Sequence, residues 1–310
     1  MKVKVVSIVG PTAVGKTDLS IQIAKKFNAE IISGDSMQVY RRLNIGTAKI
    51  TEDEKEGIPH YMIDLLEPDQ PFTVAQFKEK VQHYIEKINR NNKLPLIVGG
   101  SGLYIQSVLY DYQFERSNDE DYRKKLESIV EKEGIERLYN KLNEIDPIQA
   151  EKIHPNNHRR VIRALEIFHT TGKRMSELIQ SQKREPLYDM KIIGLDMDRQ
   201  LLYQRINDRV DLMMEEGLLD EVKALYDDGL KNSQSMTGIG YKEFIPFFEG
   251  EIDLETAIET LKRNTRRFAK RQFTFFRNRL PVDWYEITEN NRKEQYERII
   301  ENLAGFLNRS

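Results

Sequence analysis

Near the start of the chain, Gly10-Pro11-Thr12-Ala13-Val14-Gly15-Lys16-Thr17 fits the pattern G-x-x-x-x-G-K-[ST] in full. Each residue type has a chemical reason. Glycines let successive backbone N–H groups curl around a phosphate, and a following helix presents its positive N-terminal end. Lys16 offers a point charge to a terminal phosphate, and Thr17 offers a hydroxyl that can ligate Mg2+. The flanks suit the motif. Residues 3–9 (VKVVSIV) form an apolar, β-branched run that reads as a buried parallel strand. Leu19, Ile23 and Phe27 then recur at fourfold spacing, which predicts a helix over 17–27. The loop binds something phosphorylated, and the motif by itself does not specify a nucleoside triphosphate.

A carboxylate follows the next apolar run. Residues 29–33 (AEIIS) predict a second strand, closed by Gly34 and Asp35. In a doubly wound sheet the carboxyl ends of neighbouring strands share one crevice, so Asp35 belongs beside the phosphate loop. There it can act as a general base or hold Mg2+ through water. Gln38, three residues on, carries an amide suited to the edge of an adenine. Ser101 adds a second hydroxyl, in the Gly99-Gly100-Ser101-Gly102 turn that closes the apolar run 94–98. A hydrolysing ATPase would end such a run with a Mg2+-binding acid. Only Asp64, in a weaker run predicted as a strand over 60–66, could serve, which counts against ATP hydrolysis.

The cations are grouped. Residues 262–279 (KRNTRRFAKRQFTFFRNR) hold eight Lys or Arg and no acid. Arg263, Arg266, Arg267, Lys270 and Arg271 follow i, i+3, i+4, i+7, i+8 and fall on one helix face; Leu261, Phe268, Phe275 and Phe276 fall on the other, toward a core. An aligned row of cations suits a phosphate-rich polymer. Arg159 and Arg163 share a face in a second cluster, with Val161, Ile162, Leu165 and Phe168 on its buried side. Arg205 and Arg209 open the helix after an apolar run at 191–197 and can reach the crevice.

The elements that must position these groups alternate strand and helix up to about residue 116. The fold class is therefore α/β, a phosphate-loop (P-loop) NTPase-like parallel-sheet core. Helical periodicity with little strand signal marks an all-helical insertion of three or four helices over 117–186. Residues 187–310 return to the core, with strands predicted at 191–197 and 282–287. Composition narrows the chemistry. The 48 Lys and Arg nearly balance 50 Asp and Glu, so any attraction to a polyanion must be local. Without cysteine there is no disulfide, no thiolate nucleophile and no cysteine-bound zinc. The five histidines show no metal-cage spacing. No signal-peptide pattern and no membrane-length apolar window are present, so the expectation is a soluble, cytoplasmic monomer with no membrane contact.

Seven segments together carry a resemblance: GPTAVGKT (10–17), SGDSMQVY (33–40), IGTAK (45–49), GGSGLYI (99–105), HPNNHRRVIRALEI (154–167), IGYKE (239–243) and TRRFAKRQFTFFR (265–277). In this order, over nearly the full chain, they resemble the bacterial tRNA dimethylallyltransferases. The resemblance implies transfer of a dimethylallyl group from dimethylallyl diphosphate to N6 of the adenine 3′-adjacent to the tRNA anticodon. It implies that Gly10, Pro11, Thr12, Ala13, Val14, Gly15, Lys16 and Thr17 hold the diphosphate, with Mg2+ as cofactor. It makes Asp35 the general base, Ser101 a hydroxyl at a position more often Thr, and Arg209 a neutraliser of diphosphate charge, with Arg205 nearby. It further implies that Asp35, Ser36, Met37, Gln38, Ser101, Arg123, Arg159, Arg160, Val161, Ile162 and Arg163 contact the tRNA, and that the insertion grips the anticodon stem-loop. Phe275 stands where many members carry Trp. Two other readings use fewer of these residues. A small-molecule kinase leaves the arginine stripe and the insertion without a role. Prenyl transfer to a free adenine nucleotide leaves the cluster at 158–163 without one.

Overall fold

The computed structural model describes residues 2–112, 119–182 and 185–309. In chain order the elements are β1 (Lys4–Val9), α1 (Lys16–Phe27), β2 (Ala29–Ser33), α2 (Glu52–Lys55), β3 (His60–Tyr61), α3 (Val74–Arg90), β4 (Leu94–Gly99) and α4 (Gly102–Leu109), followed by α5 (Glu120–Glu133), α6 (Glu136–Ile145), α7 (Pro147–Glu151), α8 (His158–Thr171) and α9 (Met175–Gln180). The chain then continues through β5 (Asp189–Asp196), α10 (Arg199–Glu215), α11 (Leu218–Asp227), α12 (Ile245–Phe248), α13 (Leu254–Arg279), β6 (Asp283–Glu286) and α14 (Arg292–Leu307).

Two compact units emerge. One comprises Met1–Tyr110 with Pro186–Ser310, the other Asp111–Glu185. The boundary expected at 116/117 lies outside the described residues. Pro186, expected within the insertion, bridges to Tyr110 in the first unit.

The first unit is built on a six-stranded sheet in the order β3-β2-β4-β1-β5-β6, with every pairing parallel. Apolar residues cover both sides. Val5, Val9, Ile32, Ile97 and Ile192 enter one core cluster, while Val6, Ile8, Ile31, Leu96 and Ile193 enter the other. Strand side chains alternate faces, so near-continuous apolar runs are what a sheet buried on both sides requires. The predicted strand over 60–66 is cut to two residues. Met62 and Asp64 take left-handed backbone with φ of 65° and 53°, which no extended strand tolerates. Leu66 keeps only an isolated bridge to Tyr40.

Register decides what meets at the carboxyl edge. Val9 of β1 pairs with Gly99 of β4, and Val98 pairs with Ser33 of β2. The turns beginning at Gly10, Gly34 and Gly100 therefore leave the sheet side by side. Close approach makes the glycines of the third turn obligatory. A Cβ on Gly99 would lie 2.4 Å from the carbonyl carbon of Gly34.

The second unit holds five helices among its described residues, where three or four were expected. Leu126, Leu138, Leu142, Ile153, Val161 and Leu165 form its core. Two punctuating residues act as their chemistry demands: Pro147 opens α7, and Gly172 ends α8 at φ 68°. Among the described residues no helix is long and apolar enough to cross a membrane.

Candidate active site

The phosphate loop runs from Gly10 to Gly15, and Gly15, in left-handed conformation at φ 103°, caps α1. Lys16 folds back so that its Nζ donates to the carbonyls of Gly10 (3.1 Å) and Pro11 (2.6 Å). Burial and the nearby Arg209 pull its pKa down to about 7, against the opposing attraction of Asp35. An anion in the loop would restore the charge. The Thr17 side chain is exposed at the first turn of α1, and its hydroxyl makes no hydrogen bond among the described residues.

Arg209 comes from α10, and burial lowers its pKa. One turn away, Arg205 keeps a buried Nη1 with no partner. Neither arginine forms an ion pair among the described residues. Two half-buried guanidinium groups one turn apart, neither in a direct ion pair, repel each other and favour an anion between them, so this pair suits a polyphosphate.

Asp35 lies at the turn after β2. Its Oδ1 accepts from the Met37 N–H at 2.8 Å, and its own N–H donates to Ser33 Oγ at 3.3 Å. Burial raises its pKa, opposed by the Met37 N–H and by Lys16. A carboxylate so placed is a stronger proton acceptor than one in water. Ser101 joins it from the neighbouring turn. The Ser36 N–H donates to Ser101 Oγ (3.3 Å), and the Ser101 N–H to the carbonyl of Gly34 (3.3 Å). The sheet thus brings the turns of Lys16, Asp35 and Ser101 to one edge, and Arg209, from α10 of the same unit, comes near enough to act on the charge of Lys16. Gln38 is engaged locally: its Oε1 accepts from Ser33 Oγ at 2.7 Å, and its Nε2 faces the carbonyls of Thr47 and Ala48.

In the helical unit, Arg159 and Arg160 are exposed, while Arg123 and Arg163 converge on the buried Glu166 at 3.3 and 3.0 Å. Val161 and Ile162 are core residues, 0% and 5% exposed. Their side chains face the interior, as their spacing predicts.

Helix α13 carries the basic stripe with two corrections. Arg263, Arg267, Lys270 and Arg271 are exposed without a carboxylate partner among the described residues. Arg266 instead turns toward α10 and donates to Asn207 Oδ1 at 2.6 Å. Phe268 joins neither core cluster; it is half-buried with the Arg271 guanidinium 5.7 Å above its ring. Leu261 and Phe276 are buried as expected, and Phe275 packs against the core.

Three contributors were not expected. Gln272 is 5% exposed; its Oε1 accepts from the Thr12 N–H at 3.1 Å and its Nε2 donates to the Gly100 carbonyl at 3.1 Å. Tyr296 of α14 donates to the Gly15 carbonyl at 3.1 Å. Glu221 accepts from the N–H groups of Asn44, Ile45 and Gly46 at 2.9, 3.0 and 3.1 Å, and from the Tyr241 hydroxyl at 2.7 Å. Glu221 thereby ties the segment 45–49 to the segment 239–243. Replacing it with Gln sets an amide NH2 against those donors. Glu221→Gln is expected to lower stability by about 1–3 kcal/mol, the cost of unsatisfied donors around a former carboxylate. Urea denaturation reads this directly, and an unchanged midpoint would show that the brace carries nothing.

Six parallel strands with a phosphate loop between β1 and α1 define a P-loop NTPase-like protein. Comparison narrows that class. The family model described as IPP transferase matches residues 38–279. A tRNA dimethylallyltransferase from Bacillus cytotoxicus is 58% identical over 299 residues, 96% of this chain and 95% of that one. Among solved structures, a full-length tRNA isopentenylpyrophosphate transferase from Bacillus halodurans matches with TM-score 0.76 and 48% identity, over 99% of this chain and 97% of that chain. A eukaryotic dimethylallyltransferase acting on tRNA matches with TM-score 0.84 and 35% identity, over 98% and 79%. The chain belongs to the IPP transferase family, that of the bacterial tRNA dimethylallyltransferases.

Proposed function

We propose that this chain transfers the dimethylallyl group of dimethylallyl diphosphate to N6 of the adenine 3′-adjacent to the anticodon in tRNA, releasing diphosphate. The observation that carries the reading is the shared edge: the loop holding Lys16 opens beside Asp35 and Ser101, in a chain whose relatives are named for this transfer. A kinase reading gains nothing from those relatives, and a free nucleotide acceptor leaves the α13 stripe without a partner.

The residues divide the chemistry. Backbone amides of the loop from Gly10 to Thr17, with Lys16 and Arg209, hold the diphosphate and neutralise charge as it leaves. Arg205, with its unpartnered nitrogen, is a further anion ligand. Asp35 takes the proton from N6 as the N6–C1 bond forms and the C1–O bond breaks; the electron pair leaves on diphosphate. The amine is a weak nucleophile, so a desolvated carboxylate in hydrogen-bond reach matters most at the moment of attack. Ser101 orients the turn that carries Asp35, through the Ser36 N–H.

The donor set suits Mg2+. Among the described residues no cluster of three or more His, Cys, Asp or Glu could cage a metal, while Thr17 offers a free hydroxyl beside the loop. Mg2+ keeps waters and takes substrate phosphates, so a single protein oxygen is adequate. When bound, the ion supplies charge neutralisation to the diphosphate.

On the RNA side, the adenine must leave its stack at a cost of a few kcal/mol, offset by contacts in the pocket. We assign the segment Asp35-Ser36-Met37-Gln38 and Ser101 to those contacts. The exposed Arg159 and Arg160, with Arg123 and Arg163, take the phosphates of the anticodon stem-loop, and the α13 stripe takes more of the backbone. The reading needs one copy of the chain, working in the cytoplasm where tRNA is found.

Charge reversal tests the stripe. Arg263→Glu with Arg267→Glu should weaken tRNA binding about tenfold or more and flatten the dependence of log K on log salt by about 1.5, the share of two phosphate contacts. An unchanged slope would remove α13 from the RNA surface. The reading as a whole is tested with labelled dimethylallyl diphosphate and Mg2+, offered to unmodified tRNA in one tube and AMP in another. Label is expected in tRNA alone. Label in AMP, or phosphate transfer from ATP to a small acceptor in place of prenyl transfer, overturns it.

A further inference from the structure

Helix α13 has two functional faces. Outward it shows Arg263, Arg267, Lys270 and Arg271. Inward, between the fully buried Ala269 and Phe276, it places Gln272, the one neutral amide in the segment KRQ that opens its last turns. An uncharged polar side chain at an apolar-face position is kept only if its groups are satisfied. Both are: Oε1 by the Thr12 N–H of the phosphate loop, and Nε2 by the Gly100 carbonyl of the turn after β4. The orientation of the amide is fixed, because flipping it would set N–H against N–H and oxygen against oxygen.

The two partners lie on opposite sides of the reaction. Thr12 belongs to the loop that would hold the leaving group. Gly100 precedes Ser101, whose N–H donates to Gly34 and whose Oγ accepts from Ser36, on either side of Asp35. A continuous hydrogen-bonded path thus joins phosphate loop, Gln272, Gly100–Ser101 and the Asp35 turn. Space confirms how tight the joint is. A Cβ on Gly100 would stand 2.0 Å from Gln272 Nε2 and 3.1 Å from its Cδ, with the Gly10 carbonyl oxygen third at 3.3 Å. The backbone of Gly100 lies outside the left-handed region, so what a side chain there would displace is the Gln272 amide.

We propose that Gln272 is a positioning residue that sets the distance between the diphosphate and the base that accepts the proton. The proposal rests on the prenyl-transfer reading for its chemistry. A misplacement of about 1 Å between reacting groups costs on the order of a hundredfold in rate. Gln272→Ala deletes the clamp. Gly100→Ala leaves Gln272 in the sequence but drives its amide out.

The test is a double-mutant cycle of Gln272→Ala, Gly100→Ala and the pair, read as single-turnover transfer rate per folded molecule. Each single variant is expected to lose about 10- to 100-fold in rate, with KM for tRNA changed less than about threefold. The pair should fall no more than about threefold below the worse single, because both changes break one joint and the shortened side chain makes room for the new methyl. Rates that multiply across the pair overturn the proposal, as do losses that vanish once the folded fraction is equalised by circular dichroism. The same four proteins are titrated calorimetrically with inorganic pyrophosphate, where each single should weaken binding about 3- to 10-fold and the pair no further. If wild-type protein prenylates no RNA, the functional reading falls. The pyrophosphate cycle then decides the clamp: non-additive losses uphold it as a brace of the anion loop, and additive or absent losses end it.

Discussion

Asp35→Asn lowers the single-turnover rate of prenyl transfer by about two to four orders of magnitude, the range for loss of a general base, while tRNA affinity stays within about threefold. Asparagine is the informative choice. Its Oδ1 can still accept from the Met37 N–H, so the turn after β2 keeps its shape. Only the proton acceptor is lost. The pH dependence has a determined sign. Burial raises the Asp35 pKa above the ordinary carboxylate value, so the active, ionised form is lost as pH falls through that raised value. The wild-type rate therefore falls on the acid side earlier than for an exposed aspartate, and the Asp35→Asn variant has no such limb. A variant that loses tRNA binding in parallel with rate would make Asp35 a structural residue.

Lys16→Met has two opposite effects, both large. The variant loses the charge-assisted contact to the anion, so pyrophosphate binding should weaken by about 10- to 100-fold. The ligand-free protein should become more stable. In the fold Lys16 titrates near 7, against an ordinary 10.5, because burial and Arg209 oppose its charge. Between those values the unfolded chain holds the extra proton, so wild-type stability rises with pH across the window and the penalty is complete below it. The methionine variant carries no penalty. Its melting temperature at pH 6 should exceed that of wild type by about 2–4 °C for each kcal/mol recovered, with the gap closing toward pH 10. A variant that melts lower at pH 6 would show that the Nζ contacts to Gly10 and Pro11 outweigh the burial of the charge.

Which parts of this were legible in the sequence follows from range. The phosphate loop, its strand and its helix are consecutive, so periodicity and turn chemistry locate them without a sheet. Asp35 and Ser101 follow from one rule, that strand ends share a crevice, and the pairing of Val98 with Ser33 bears this out. The strand expected over 60–66 failed for a local reason that apolar content conceals: Met62 and Asp64 are left-handed, and neither is glycine. Phe268 was misjudged because an aromatic ring beside arginines can be covered by a guanidinium as well as by a core. Gln272 was out of reach, since its partners lie 260 and 172 residues away. A glutamine three residues after Ala269 and four before Phe276, on the apolar face, was the available signal. Glu221 had none, as its carboxylate finds backbone N–H groups 175–177 residues away that no side-chain pattern encodes.

The account depends most on where the transferred group ends. Purified protein, Mg2+ and labelled dimethylallyl diphosphate should be incubated with unmodified tRNA, the RNA digested to nucleosides and oligonucleotides, and the label located by mass spectrometry, with the Asp35→Asn protein in parallel. The account predicts label on N6 of the adenosine 3′-adjacent to the anticodon, and almost none with the variant. Label at another nucleotide or another atom of the base, or an Asp35→Asn protein as fast as wild type, would contradict it.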